Sequence, residues 1–105
     1  MTAFVTYKRW RLQDGQQEAD LVALVQNEIV PHYAKLGGVV RLGLHRIRET
    51  RSYLALQHWQ SRAVWQATTA SVSYQTWFAE YEPILARWDQ LMVFEEEWEA
   101  EVILG

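Results

Sequence analysis

The sequence predicts a single α+β domain, residues 1–105, of the ferredoxin-like type with element order βαββαβ. Four segments are rich in β-branched and aromatic residues and alternate between two faces, as half-buried strands do. Other segments carry apolar residues at helical spacing. This order gives a four-stranded antiparallel sheet with two helices on one face. The predicted strands cover residues 3–12, 39–48, 52–59 and 92–104, and the predicted helices cover 16–30, 62–70 and the stripe 74–88.

A few residues mark where the helices begin and end. Pro31 is expected to end or kink the first helix near Val30, because proline lacks the backbone N–H that a helix interior needs. Ser61 is a natural N-cap for the short second helix. Ser71 lies at a break before the stripe that begins at Tyr74, so the second helical region is predicted to be two helices in series.

The side of the sheet that the helices leave uncovered is predicted to be aromatic. Alternation in the third strand is interpreted with Leu54, Leu56 and His58 toward the helices. The uncovered face then carries Val5, Tyr7, Val39, Ile47, Tyr53, Ala55 and Trp59. An exposed apolar face of this kind is unfavourable in water, so a homodimer through the sheet face is expected.

A row of carboxylates follows the last strand. The row consists of Glu95, Glu97, Glu99 and Glu101. In the predicted topology this strand lies beside the first, so the row is expected to face Arg9 and Arg11 as stabilising cross-strand pairs. Alternate strand residues do not converge on one ion, and a structural role is therefore preferred to a metal site.

Composition excludes several classes of function. The chain has no cysteine, which removes disulfides, thiolate metal sites and a cysteine nucleophile. Its net charge of −3 argues against nucleic acid as a partner. No apolar run approaches the roughly 18 residues of a membrane span, and the N-terminus lacks signal-peptide character, so a cytoplasmic location without a membrane partner is expected. The histidines at 32, 45 and 58 have no metal-ligand spacing, and no metal or cofactor is predicted.

The strand-to-helix segment is the most specific part of the sequence. It runs Gln57-His58-Trp59-Gln60-Ser61-Arg62-Ala63-Val64-Trp65 and is followed by Ser71 and Tyr74. With these residues and its element order, the chain resembles the antibiotic biosynthesis monooxygenase (ABM) family of the dimeric α/β-barrel superfamily over essentially its whole length. The resemblance implies a dimer whose two sheets form a barrel, with a ligand pocket between sheet and helices in each subunit. Some members oxidise polycyclic phenols with O₂ and no cofactor, and others bind and break down haem.

Three departures from the family bear on these activities. Haem-degrading relatives have a ligand histidine in the second helix, whereas no histidine follows residue 59 here. Their asparagine in the first strand is also absent from residues 3–12. Many other members have a histidine in the first helix after the cap, where this chain has Ala67-Thr68. Haem degradation is therefore disfavoured, and the missing histidine weakens the case for catalysis.

Cofactor-free oxidation of a phenol needs a base and an enclosed aromatic slot. His58 is the candidate catalytic base, because a histidine titrates near neutral pH and the predicted alternation turns it toward the helices. A structural histidine bonded to a backbone carbonyl is the alternative. His45 is expected on the barrel-facing side, and His32 is expected to be exposed.

The candidate substrate-binding residues are aromatic, and the alternative is that they simply fill the core. They are Trp10, Tyr33, Trp65, Tyr74, Trp77 and Phe78. The predicted function is an ABM-like, cofactor-independent monooxygenase for a small aromatic or quinol-type molecule. The alternative is a non-catalytic dimeric domain that binds a small molecule, with haem the less favoured ligand.

Overall fold

The computed structural model describes residues 2–105 and has the predicted βαββαβ order. The strands are β1 Phe4–Leu12, β2 Val39–Arg46, β3 Ser52–Trp59 and β4 Met92–Glu101. The helices are α1, which covers residues 18–33, α2 Arg62–Thr69 and α3 Val72–Leu91. Neighbouring strands are antiparallel and follow the order β2-β3-β1-β4, so the predicted ferredoxin-like α+β architecture is confirmed. Within residues 2–105, no helix is both long enough and apolar enough to cross a membrane.

Helix α1 does not end near Val30, the first of the two outcomes predicted for Pro31; it becomes irregular before the proline and continues for a further turn. It consists of an α-helical segment Glu18–Leu24, a π-helical segment Val25–Ile29 and a final turn Val30–Tyr33. Pro31 lies at the start of that final turn. Proline is tolerated there because the first N–H groups of a helical segment have no carbonyl partner within that segment. The wide π turn just before the proline therefore lets the helix carry Tyr33 toward the sheet.

Serine side chains cap the two later helices: Ser61 at the N-cap that was predicted, and Ser71 at the predicted break. The Ser61 hydroxyl accepts a hydrogen bond from the Val64 N–H at 3.1 Å, and the Ser71 hydroxyl accepts from the Tyr74 N–H at 3.2 Å. Each cap satisfies a backbone donor that would otherwise lack a partner in the first helical turn. The break at Ser71 sets the direction of α3 independently of α2, and α3 then passes through Pro83 without interruption.

The core lies between the helices and one face of the sheet. Its buried members are Leu12, Leu21, Leu24, Ile29, Tyr53, Trp77, Tyr81, Trp88 and Met92. The Tyr53 hydroxyl donates to the Glu18 carboxylate of α1 at 2.7 Å, so Tyr53 points toward the helices. Alternation places Ala55, Gln57 and Trp59 on that same side. The predicted assignment of the two faces of β3 is therefore wrong: Leu54, Leu56 and His58 lie on the open face.

A β-bulge divides β4 into two halves. The register with β1 shifts between Arg9 and Trp10, which leaves Glu95 as the extra residue. Phe94 pairs with Trp10 on the helix-facing side, with ring centroids 5.2 Å apart. Glu95 turns to the open face, where its carboxylate accepts from Arg9 at 3.3 Å and from the Ser52 hydroxyl at 2.8 Å.

The carboxylate row of β4 is consequently not continuous, and its predicted pairing is right only in part. Arg9 faces Glu95 and Glu96, as expected of a cross-strand pair. Arg11 instead lies opposite Val93 in the ladder. Because the bulge moves one glutamate to the other face, no simple alternation holds along the whole strand.

Candidate functional site

A cavity of about 730 Å³ lies between the helix-facing side of the sheet and the helices. This volume falls within the roughly 300–1,000 Å³ that small-molecule sites occupy. Sheet residues form its floor: Thr6, Lys8 and Trp10 of β1, Leu42 and Leu44 of β2, and Ala55, Gln57 and Trp59 of β3. Tyr7, Gly43, Leu56 and Trp98 also contribute to the lining, from the other side of the sheet. Helical residues form its walls: Val25, Ile29 and Tyr33 of α1, Trp65 and Thr69 of α2, and Tyr74, Phe78, Tyr81, Leu85 and Trp88 of α3. The interior is thus not filled by the protein's own tryptophans.

Five of the predicted substrate-binding residues meet in this cavity. They are Trp10, Tyr33, Trp65, Tyr74 and Phe78. The break at Ser71 accounts for the geometry, because it separates the helix that carries Trp65 from the helix that carries Tyr74 and Phe78. Aromatic side chains from separate elements therefore converge on one space, which suits a flat aromatic ligand.

Trp77 does not line the cavity, and its predicted role as a pocket wall is wrong. It is only 5% exposed and packs against α1. Its indole N–H donates to the His32 carbonyl at 2.8 Å, and the His32 Nε2 donates to the Trp77 carbonyl at 2.9 Å. His32 is buried too, contrary to the expectation that it is exposed. This reciprocal pair joins α1 to α3 behind the cavity wall.

His58 does not meet the requirement for a base in this cavity. In the β1–β3 ladder it lies opposite Val5, whose side chain is on the open face, and it is not among the residues that line the cavity. The sheet itself separates the imidazole from a ligand bound between sheet and helices. The prediction that His58 lies on the helix-facing side is therefore wrong. His45 lies opposite Leu54 and is on the open face, as expected.

A hydrogen-bonded pair of polar residues in the cavity did not emerge from the sequence. The Trp59 indole N–H donates to the Gln57 Oε1 at 3.1 Å, and the Gln57 Nε2 donates to the Tyr33 hydroxyl at 3.0 Å. The sequence does contain a signal for this pair, because Gln57 is the polar member of the alternating set 53, 55, 57 and 59. Assigning that set to the wrong face concealed it.

Burial keeps the cavity tyrosines protonated. It raises the pKa of Tyr33 far above the ordinary value, and the neighbouring Tyr81 adds to that effect. Burial likewise raises the pKa of Tyr81 to about 12, while hydrogen bonding with Tyr33 acts in the opposite direction. Both hydroxyls therefore act as hydrogen-bond groups near neutral pH and not as phenolate bases.

Alkaline pH is expected to destabilise the protein through these tyrosines. Above about pH 10 the unfolded chain loses tyrosine protons that the native protein retains, so the free energy of unfolding falls as pH rises. Melting temperatures measured by circular dichroism from pH 8 to pH 11 should decline beyond pH 10. The variant Tyr33→Phe should show a smaller decline. An equal decline in both proteins would contradict the assignment to Tyr33.

Charged groups occur at the edge of the cavity on β1 and β4. The Lys8 ammonium lies 4.0 Å from the Glu97 carboxylate, and Glu99 lines the same edge. Among the cavity-lining residues in the described part of the chain there is no histidine and no aspartate. The arrangement can enclose a flat apolar body, donate hydrogen bonds from tyrosines and accept a proton at the edge.

Comparisons with known proteins give a relationship at the level of structure. No protein-family model matches the chain, and no curated protein sequence matches it. The structure is similar to SnoaB, a cofactor-independent oxygenase from Streptomyces nogalater, with 15% identity over 100% of this chain and 97% of that chain and a TM-score of 0.70. HapK from Hahella chejuensis is 21% identical over 97% of this chain and 94% of that chain, with a TM-score of 0.71.

A third similar structure carries the family name itself. It is a protein from Bordetella bronchiseptica, provisionally named an antibiotic biosynthesis monooxygenase. It is 18% identical over 100% of this chain and 99% of that chain, with a TM-score of 0.66. At these identities the similarity concerns the fold. The chain therefore has the fold of the antibiotic biosynthesis monooxygenase proteins, in agreement with its sequence resemblance to them.

Proposed function

We propose that this protein is a cofactor-independent monooxygenase that oxidises a small aromatic or quinol-type molecule with O₂. The observation that carries the proposal is the aromatic-lined cavity of about 730 Å³ between sheet and helices. SnoaB, which shares the fold, is a cofactor-independent oxygenase. A slot walled by Trp65, Tyr74 and Phe78 would hold a flat ring and exclude water from it.

The proposed reaction converts a phenol to a quinone. One oxygen atom of O₂ bonds to the ring carbon para to the hydroxyl, and the other leaves as water with the two hydrogens lost from the ring and the hydroxyl. The ring supplies the four electrons that reduce O₂, so no further reductant is needed. The cavity residues that can accept the phenolic proton are the carboxylates of Glu97 and Glu99.

The test is oxygen uptake by the purified, EDTA-treated protein with 1-naphthol. We expect one O₂ consumed for each 1,4-naphthoquinone formed. Trp65→Ala should raise KM by about tenfold, equivalent to about 1.4 kcal/mol of lost aromatic contact. Val72→Ala is the matched control, since this residue is exposed at the start of α3 and away from the cavity. Uptake that is absent, or equal in the wild type and Trp65→Ala, would contradict the proposal.

We further propose that the protein is a homodimer joined through the open face of the sheet. Tyr7 and Trp98 stack on this face with ring centroids 5.5 Å apart, and Leu54 and Leu56 lie beside them in the ladder. Light scattering after size-exclusion chromatography should give twice the 12.4 kDa chain mass. Leu54→Arg should give a folded monomer, because it buries an unpaired charge at the contact. A monomeric wild type would overturn this arrangement.

A second candidate function is ligand binding without catalysis. The observation that favours it is the lack of histidine and aspartate among the described residues that line the cavity. Such a domain would bind 1-naphthol or 1,4-naphthoquinone tightly in calorimetry and consume no O₂ with either. Binding combined with turnover would exclude this function in favour of the monooxygenase.

A further inference from the structure

The orientation of the Gln57 amide is fixed by its neighbour Trp59. An indole N–H donates hydrogen bonds and cannot accept them. The Gln57 atom that lies 3.1 Å from the Trp59 Nε1 must therefore be the amide oxygen, which places the amide nitrogen on the other side. Trp59 is itself 1% exposed, so this anchor is held in the core.

The direction of that first hydrogen bond determines the next one. The Gln57 Nε2 lies 3.0 Å from the Tyr33 hydroxyl, and an amide nitrogen can only donate. The Tyr33 oxygen therefore accepts, and its own proton must point away from Gln57. The Tyr81 ring stands edge-on to Tyr33 at a centroid distance of 5.4 Å, and both residues line the cavity, so the Tyr33 proton can turn into the cavity.

All of these groups line the cavity, so the direction of the bonds has a consequence for a ligand. We propose that Gln57 holds Tyr33 as a hydrogen-bond donor toward a carbonyl-type oxygen of the ligand, which makes Gln57 a specificity-determining residue. Tyr33 keeps its proton because burial raises its pKa. The inference rests on the proposed function in taking this cavity as the ligand site. It adds that the ligand must present an acceptor oxygen, as a quinone or ketone does, beside Tyr33.

The test compares two flat probes that differ in acceptor oxygens. Affinities of 1,4-naphthoquinone and naphthalene are measured by calorimetry at pH 8. In Gln57→Glu the carboxylate accepts from both Trp59 and Tyr33, which draws the Tyr33 proton away from the cavity. We expect about a tenfold loss of quinone affinity, typical of one lost hydrogen bond, and a change of less than about twofold for naphthalene. Tyr33→Phe should give the same selective loss, and the double variant no greater loss.

The control is Tyr53→Phe, which removes a tyrosine hydroxyl that is bonded to Glu18 and does not line the cavity. It should leave the affinity for both probes unchanged. Quinone affinity that is the same in the wild type, Gln57→Glu and Tyr33→Phe would overturn the inference and leave the proposed function intact. If neither probe binds the wild type, the proposed function falls and the inference falls with it. Should Gln57→Glu fail to fold, Tyr33→Phe alone decides between these results.

Discussion

Replacing Trp77 by alanine is expected to lower the free energy of unfolding by about 3–5 kcal/mol. Trp77 stacks on Tyr81 at a centroid distance of 5.1 Å, meets Tyr33 edge-on at 4.8 Å and exchanges two hydrogen bonds with His32. Truncation leaves a cavity between α1 and α3 and leaves the buried His32 carbonyl without its indole donor. Urea denaturation followed by far-UV circular dichroism measures the loss of unfolding free energy. A loss of this size is a substantial fraction of the stability of a typical domain.

The next residue along α3 supplies the matched control. Phe78 is 37% exposed and faces the cavity, whereas Trp77 is 5% exposed and faces α1. Phe78→Ala removes a large aromatic ring from the same helix but should cost only roughly 1 kcal/mol, because much of the ring is already in contact with solvent. Equal losses for the two variants would mean that Trp77 is not the core residue that its contacts indicate.

Replacing Gly38 by alanine is expected to lower the free energy of unfolding by about 2–5 kcal/mol. Its φ of +92° is disfavoured for residues with a side chain, which costs roughly 1–2 kcal/mol. A Cβ here would also lie 2.3 Å from the Val64 Cγ1, and relieving such a clash adds roughly 1–3 kcal/mol. The Gly38 carbonyl accepts from the Gln60 N–H at 2.9 Å, so the clash displaces the junction that leads into α2.

Two other glycines separate the contributions to this loss. Gly15 has a φ of +83°, and no atom would lie within 4 Å of a Cβ at this position, so Gly15→Ala should show the backbone cost alone. Gly37 has open space around its Cβ position and no positive φ, so Gly37→Ala should change stability by less than about 0.5 kcal/mol. Urea midpoints for the three variants measure the two costs. A loss for Gly38→Ala no larger than that for Gly15→Ala would show that Val64 moves aside freely.

The fold was predictable because its strongest local signals agree with one another. Ser61 caps its helix as its side chain predicts, Ser71 lies at the predicted break, and the stripe from Tyr74 to Trp88 forms one helix. Apolar period and cap chemistry act over a few residues, so a single sequence contains the information needed to place them. The same holds for Trp65 and Tyr74, which reach the cavity because the capped helices direct them there.

The candidate site was less predictable because it depends on which face of a strand is buried. In β3, Leu54 and Leu56 are as apolar as Tyr53 and Ala55, so alternation defines two faces without deciding between them. That ambiguity placed His58 near the ligand and Gln57 away from it, the reverse of the observed arrangement. Trp77 was assigned to the cavity since helical spacing does not separate a residue that faces α1 from one that faces the sheet.

The bulge at Glu95 also determines where related sequences can gain or lose a residue in β4. Removing Glu95 would give regular pairing between β1 and both halves of β4 and would keep every side chain on its present face. Removing a residue elsewhere in β4 would move the side chains of one half to the opposite face of the sheet. Phe94 and Trp98 face opposite sides of the sheet, so the first half of β4 packs against Trp10 and the second half against Tyr7. Single-residue insertions and deletions that natural variation tolerates in β4 should therefore concentrate at position 95.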